Sequence, residues 1–426
     1  MDIKHSAQTA RSASILLSAV KTGQKNKALL EIAKAIESRS GDIVEANRKD
    51  LAAAAKNGLA EPLLKRLTFD EKKIAEVCMG VKSLIKLDDP AGRTISITEL
   101  DKGLMLYKTS CPIGVIGVVF ESRPDALVQI STLCLKSGNA VLLKGGSEAE
   151  HTNEILAEVI SGAAEKTGLP KGWLVLMHGR EDVRGMLKLD GLIDLIIPRG
   201  SNEFVRYIMD NTNIPVMGHA DGICHVYVDG RADMAMALKV LIDSKCQYVA
   251  VCNAAESLLV DKRIAARFLP AAQKTLVENG VEIRGCAGTR KMLKAVKAAG
   301  DRDFGTEYLD YIISVKVVDG VEEAVEHINR YGSHHTDTIV TADRKTAVRF
   351  MESVDSASVF WNCSTRFSDG FRYGLGAEVG ISTNKIHARG PVGLEGLVIY
   401  KWKLTGKGHI VADYAEGRKK FKHKKI

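Results

Sequence analysis

Apolar positions recur at helical spacing through residues 1–90. From Lys27 to Asn57 the chain is rich in Ala, Leu, Lys and Glu, with Leu29, Leu30, Ile32, Ala33 and Ile36 on one stripe. Glu61 to Ile85 repeats the pattern as one predicted helix, with Pro62 where a first turn tolerates it. Asp88-Asp89-Pro90-Ala91-Gly92 breaks it.

Beyond the break, short apolar runs alternate with helical stretches. Val115–Phe120, Ala140–Lys144, Leu174–Met177 and Leu192–Ile197 read as strands. Asp125–Lys136, His151–Gly168 and Asn202–Asn211 read as the helices between and after them. Strands this continuously apolar predict a parallel sheet covered on both faces. The rhythm restarts after residue 230, with strands at Ser257–Val260, Ile312–Val318, Asp337–Thr341 and Ala357–Trp361. Two stretches stand outside it, residues 97–110 and Leu397–Leu404. They alternate like exposed ribbons and predict an antiparallel flap whose edge another subunit covers.

The 426 residues allow two or three domains, and 45% hydrophobic with 26% charged residues is ordinary for a globular chain. The N-terminus has no signal-peptide core and no apolar run reaches about 18 residues, so no membrane span is expected. Eight cysteines are scattered without a C-x-x-C pair, which predicts a reducing compartment. The net charge is +8, yet Arg418, Lys419, Lys420, Lys422, Lys424 and Lys425 crowd the last ten residues. Removing those six charges leaves +2, so the body is nearly neutral. The tail reads either as an electrostatic arm or as a solvated, frayed terminus, the latter being expected.

Candidate chemistry sits at strand ends. There is no G-x-G-x-x-G and no Walker A motif. Lys144-Gly145-Gly146-Ser147 follows a strand, where α/β sheets bind ligands, or is a plain turn. Pro198-Arg199-Gly200-Ser201-Asn202 opens a helix whose free N–H groups suit phosphate, unless Ser201 is only its cap. Cys252 precedes a strand, but spacing alone does not distinguish it from Cys246. His327, His334 and His335 with Asp337 form no clean tetrahedral set, so hydrogen-bonding roles are expected and no metal.

Five segments share one resemblance. They are Pro112–Pro124 (PIGVIGVVFESRP), Leu133–Ala140, Val251–Ala254, Tyr331–Asp337 and Gly374–Thr383. In this order they resemble the γ-glutamyl phosphate reductase family, of the aldehyde dehydrogenase superfamily.

The resemblance implies an aldehyde dehydrogenase-like α/β fold with two parallel-rich α/β domains and a small oligomerisation β-flap. It implies an NADP-binding domain at 1–96 and 113–229, a catalytic domain at 230–390, a flap at 97–112 and 391–412, and a basic tail at 413–426. Cys252 falls on the family nucleophile, with Asn253 beside it. Thiolate attack on an acyl phosphate would form a thioester, which NADPH reduces to an aldehyde. Aldehyde dehydrogenases place a glutamate base roughly 34 residues before the nucleophile to activate water. Here that position is Gly218. Arg123 aligns with the superfamily's oxyanion asparagine and would bind the leaving phosphate, or else pair with Glu121. Lys144, Gly146, Ser147, Arg199, Gly200, Ser201 and Glu307 align with cofactor contacts. Ser147 stands where NAD-specific relatives carry a glutamate, which favours NADP.

The implied activity is reduction of L-glutamyl 5-phosphate to glutamate 5-semialdehyde in proline biosynthesis, in the cytoplasm. The substrate is a small molecule, a homo-oligomer is expected, and glutamate 5-kinase is an expected partner. No nucleic acid or membrane is expected. The alternatives are another cysteine-dependent acylating aldehyde dehydrogenase and a nucleic-acid-binding protein using the tail.

Overall fold

The computed structural model describes every residue except Met1, Ser122 and Ala220, and Pro62 without its side chain. Ser122, within the Glu121–Arg123 motif, lies outside the described residues.

The N-terminal segment is helical, with more breaks than its periodicity predicts. Thr22–Ser38 and Ser40–Lys56 are separate helices meeting at Arg39. The single helix expected over Glu61 to Ile85 is two, Glu61–Leu67 and Glu71–Lys86. Asp70 causes the break: its carboxylate accepts the Lys73 N–H and caps the second helix. Phe69, fully buried, donates its N–H to Asn47 Oδ1 at 2.8 Å.

Strands β1 (Thr94–Asp101) and β2 (Leu104–Pro112) form an antiparallel pair. Strands β3 (Val115–Phe120), β4 (Ala140–Lys144), β5 (Leu174–Leu176) and β6 (Leu195–Arg199) form a parallel sheet in the order β5-β4-β3-β6. Every residue of β3 is buried, as a strand covered on both faces requires. Strand β6 starts later than its apolar run predicts. Asp194 is occupied as a junction, paired with Arg11 and accepting the Val115 N–H.

The second sheet has seven parallel strands: β7 (Cys224–Val228), β8 (Ala255–Asp261), β9 (Glu282–Gly285), β10 (Lys297–Ala298), β11 (Ile312–Val318), β12 (Thr336–Val340) and β13 (Ser358–Trp361). Their order is β10-β9-β11-β8-β7-β12-β13. The helices Met234–Cys246 and Lys262–Glu278 pack on it around Leu241, Phe268 and Leu258. A hairpin of β14 (Gly380–Ser382) and β15 (Gly390–Val392) follows.

Strand β16 (Val398–Thr405) returns to pair with β2, as the two ribbons predict. The flap begins at Thr94, three residues earlier than expected, and it has a fourth member. Lys424–Lys425 form β17 against β1. The tail is therefore not simply frayed. The open edge of β1 supplies backbone partners: Lys422 donates its N–H to Leu100 O and Ile426 donates to Ile97 O. Arg418 and Lys419 pair with Asp413, and Tyr414 stacks on Phe421 with centroids 4.2 Å apart.

Among the described residues, no helix is long and apolar enough to cross a membrane.

Candidate active site

The two parallel sheets contribute strand ends to one site. Arg199 and Lys144 end β6 and β4 of the first sheet. Cys252 precedes β8 of the second, and His335 precedes β12. Charges from both sets act on each other: Arg199 feels Arg123, Glu378, Asp125 and Cys252.

The Cys252 loop, residues 247–254, joins the helix Met234–Cys246 to β8. It is clamped from three directions. Asn253, buried, donates from Nδ2 to Ser368 O at 2.8 Å, and its carbonyl accepts from Thr365 Oγ1 at 2.7 Å. The Cys252 carbonyl accepts from Cys224 Sγ at 3.2 Å. Burial pushes the Cys224 pKa well up, so that group remains a thiol able to donate. From the third side comes Gly222, where a Cβ would fall 2.2 Å from Cys252 O and 2.5 Å from Cys252 Cβ. Cys246, the rival candidate, closes its helix and has its pKa raised by burial.

Arg199 and Arg366 stand near Cys252, and Arg123 stands near Arg199. Arg199 has a buried Nη1 without a hydrogen-bond partner among the described residues. Burial lowers its pKa, and Arg123 adds to the effect; a guanidinium nonetheless keeps its charge. Arg366, nine-tenths buried, donates from Nε to Gln247 Oε1 at 3.0 Å and stands near Cys252. Arg123 pairs with Asp125 at 3.1 Å, rather than with Glu121. Glu378 accepts the Gly370 N–H at 2.8 Å, and burial raises its pKa.

Glu121 has a different position from the one its pairing with Arg123 would require. Its carboxyl carbon would lie 3.0 Å from a Cβ on Gly200, and the Ser201 N–H favours its charged form against the burial that raises its pKa. The start of the helix Asn202–Asp210 is thus occupied by a carboxylate, and Ser201 makes no side-chain cap bond. Glu307 accepts from Asn202 Nδ2 at 2.6 Å, and the Gly222 N–H favours its charged form, while burial raises its pKa.

Two histidines complete the site. His219 follows Gly218, where the superfamily glutamate would stand, and its Nδ1 donates to Ile381 O at 3.1 Å. Burial lowers its pKa, keeping it neutral. Its ring meets His335 edge to face, with centroids 5.0 Å apart. The other histidines disperse. His327 packs among Phe304 and Tyr331, His334 bonds to Asp355 O, and Asp337 holds His225 at 2.8 Å.

The expected cofactor residues Lys144, Gly146 and Ser147 line a small cleft with Asn153 and His178. Asn153 is buried beneath it, and its Oδ1 has no partner among the described residues. Burial lowers the Lys144 pKa. An unfilled acceptor beside an ammonium suits the ribose hydroxyls and phosphate of a dinucleotide, so the donor set fits a nicotinamide dinucleotide. Sequence reading missed Asn153, His219, Arg366 and Glu378. Only Glu378 lay in a quoted segment, and the other three carry no local signal.

A cysteine loop set between two parallel α/β sheets defines the aldehyde dehydrogenase class. The model described as the aldehyde dehydrogenase family matches residues 1–282. The γ-glutamyl phosphate reductase of Acetivibrio thermocellus is 62% identical over 426 residues, covering all of this chain and 99% of that one. The crystal structure of γ-glutamyl phosphate reductase from Thermotoga maritima superposes with a TM-score of 0.94 at 40% identity, covering 96% of this chain and 100% of that one. Glyceraldehyde-3-phosphate dehydrogenase from Methanocaldococcus jannaschii, complexed with NADP, shares the fold at 16% identity, TM-score 0.67, covering 95% of this chain and 94% of that one. The chain belongs to the aldehyde dehydrogenase family and, within it, to the γ-glutamyl phosphate reductases.

Proposed function

We propose that the protein reduces L-glutamyl 5-phosphate to L-glutamate 5-semialdehyde with NADPH, through a thioester on Cys252, releasing phosphate. The observation that carries this reading is the surroundings of Cys252: Arg199 and Arg366 stand close by, and position 218 is a glycine.

The Cys252 thiolate attacks the γ-acyl carbon. The S–C bond forms as the C–O bond to phosphate breaks, and phosphate leaves with the electron pair. Arg199, with its unfilled Nη1, and Arg123 beside it receive that dianion. This moves Arg199 from the cofactor set, where alignment put it, to the acyl phosphate. Arg366 is left to grip the substrate's α-carboxylate. Asn253 positions the loop, because its amide nitrogen is already committed to Ser368 O. Without a carboxylate at 218 to deprotonate water, the thioester persists until it is reduced or phosphate returns. NADPH, when bound, supplies the hydride that takes the acyl carbon to the aldehyde and frees the sulfur. Lys144, Ser147 and Asn153 hold the adenosine end, and Glu307, steadied by Asn202, takes a ribose hydroxyl near the nicotinamide. We further propose a cytoplasmic homo-oligomer associated through the flap, fed by a glutamate 5-kinase.

Glutamate 5-semialdehyde should reduce NADP beyond one equivalent per enzyme only when phosphate is present to release the acyl group. Replacement of phosphate by coenzyme A would favour another acylating aldehyde dehydrogenase.

A further inference from the structure

The site contains one group that this chemistry does not use. His335 is 1% exposed, and its Nε2 has no hydrogen-bond partner among the described residues. Its other nitrogen lies 2.8 Å from Thr336 Oγ1. A buried, unpartnered imidazole nitrogen is costly unless something occupies it at times. Across from it stands His219. A carbonyl oxygen only accepts, so the bond to Ile381 O assigns the proton of His219 to Nδ1 and leaves Nε2 as a bare lone pair.

One ring nitrogen of each histidine and the sulfur of Cys252 lie within 4.8 Å of one another. A tetrahedral zinc ion with Zn–N of about 2.0 Å and Zn–S of about 2.3 Å needs its ligand atoms roughly 3.5 Å apart. Rotation of the Cys252 side chain about its Cα–Cβ bond closes that gap while the loop backbone stays clamped. Two imidazoles and a thiolate are the donor set of a borderline-soft ion, not of Mg2+ or Ca2+.

We propose that His219, Cys252 and His335 form a zinc-type metal site that reversibly masks the nucleophile. The cation binds the sulfur as thiolate, and the thiol proton passes to solvent. The fourth position stays open to water. An occupied site has no free thiolate for the acyl carbon, so turnover stops until the ion is removed. Masking rests on the reductase reading given above; binding of the ion does not.

The test uses full-length protein, reduced and freed of metal by chelator, titrated with Co2+ as the spectroscopic probe. We expect an absorption band of thiolate-to-cobalt charge transfer that saturates at one equivalent and is displaced by Zn2+. Cys252→Ser should abolish it. His219→Gln and His335→Gln should each weaken Co2+ binding at least tenfold, and circular dichroism checks that each variant is folded. Absence of the band in wild type, its persistence in Cys252→Ser, or undiminished Co2+ affinity in both folded histidine variants overturns the site. In parallel, Zn2+ should inhibit turnover and chelator should restore it; full turnover with the band saturated overturns masking. An active wild type without a band leaves the reductase reading intact. Turnover retained in Cys252→Ser removes that reading whatever the metal does.

Discussion

Gly222 and Cys252 are in contact through their backbones. A single methyl group on Gly222 would occupy the space of the Cys252 carbonyl, at 2.2 Å, and of its Cα, at 2.4 Å. The Gly222 N–H also favours the charged form of the Glu307 carboxylate, so the same residue bears on the Cys252 loop and on a proposed cofactor ligand.

Gly222→Ala therefore has to displace the nucleophile loop. Misplacing a reacting group by about 1 Å costs roughly 100-fold in rate. We expect turnover to fall by about that factor, with a stability loss of about 1–3 kcal/mol. Steady-state kinetics beside a urea melt would check both. Unchanged turnover would show that the loop tolerates displacement.

Four residues after Cys252, Glu256 forms an ion pair with Lys245 at 2.6 Å, with both side chains fully enclosed. Burial raises the Glu256 pKa in spite of the pair. Lys245→Met leaves an unpaired buried carboxyl and should cost about 3–5 kcal/mol. Adding Glu256→Leu should return much of that loss. Urea midpoints of the two variants measure the difference; a double variant no better than the single would contradict it.

His327 gives the protein a predictable pH response. Burial among Phe304 and Tyr331 pushes its pKa down to about 3, helped by nearby His225, Lys316 and Arg330. The unfolded histidine takes a proton near its usual value and the folded one does not. Stability is thus complete above about pH 6.5 and is lost as pH falls through the folded value, by roughly 3–5 kcal/mol in full. His327→Leu should show a shallower stability–pH slope than wild type below that point. Equal slopes would contradict the assignment.

Strand β16 presents Tyr400, Trp402 and Leu404 at alternate positions, each about half exposed. Lys108 lies 3.7 Å from the Tyr400 ring centroid, yet among the described residues the stripe has little other cover. If this face joins subunits, Trp402→Glu with Leu404→Lys should lower the mass seen by light scattering. An unchanged mass would place the interface elsewhere.

How much of this was legible varies by element. Strands β3 and β4 are apolar at nearly every position because both faces are covered, so they stand out in the sequence. Strand β7 hides because it buries His225 and Tyr227, whose Nδ1 and hydroxyl are held by Asp337 and by Asp229. The folded tail hides too, since its partner is backbone at the edge of β1, which no side-chain pattern reports. Cys252 could be chosen over Cys246 only through the family resemblance. His219 and His335 meet because β7 and β12 are neighbours in the sheet, a fact of topology rather than of spacing.

A glutamyl group held on Cys252 can be weighed directly. Wild-type protein would be mixed with glutamate 5-semialdehyde and NADP without phosphate, quenched in acid, and weighed intact by mass spectrometry. One glutamyl group is expected at Cys252, lost when phosphate is added before the quench and absent in Cys252→Ser. A protein that oxidises the semialdehyde while its mass never changes would contradict it.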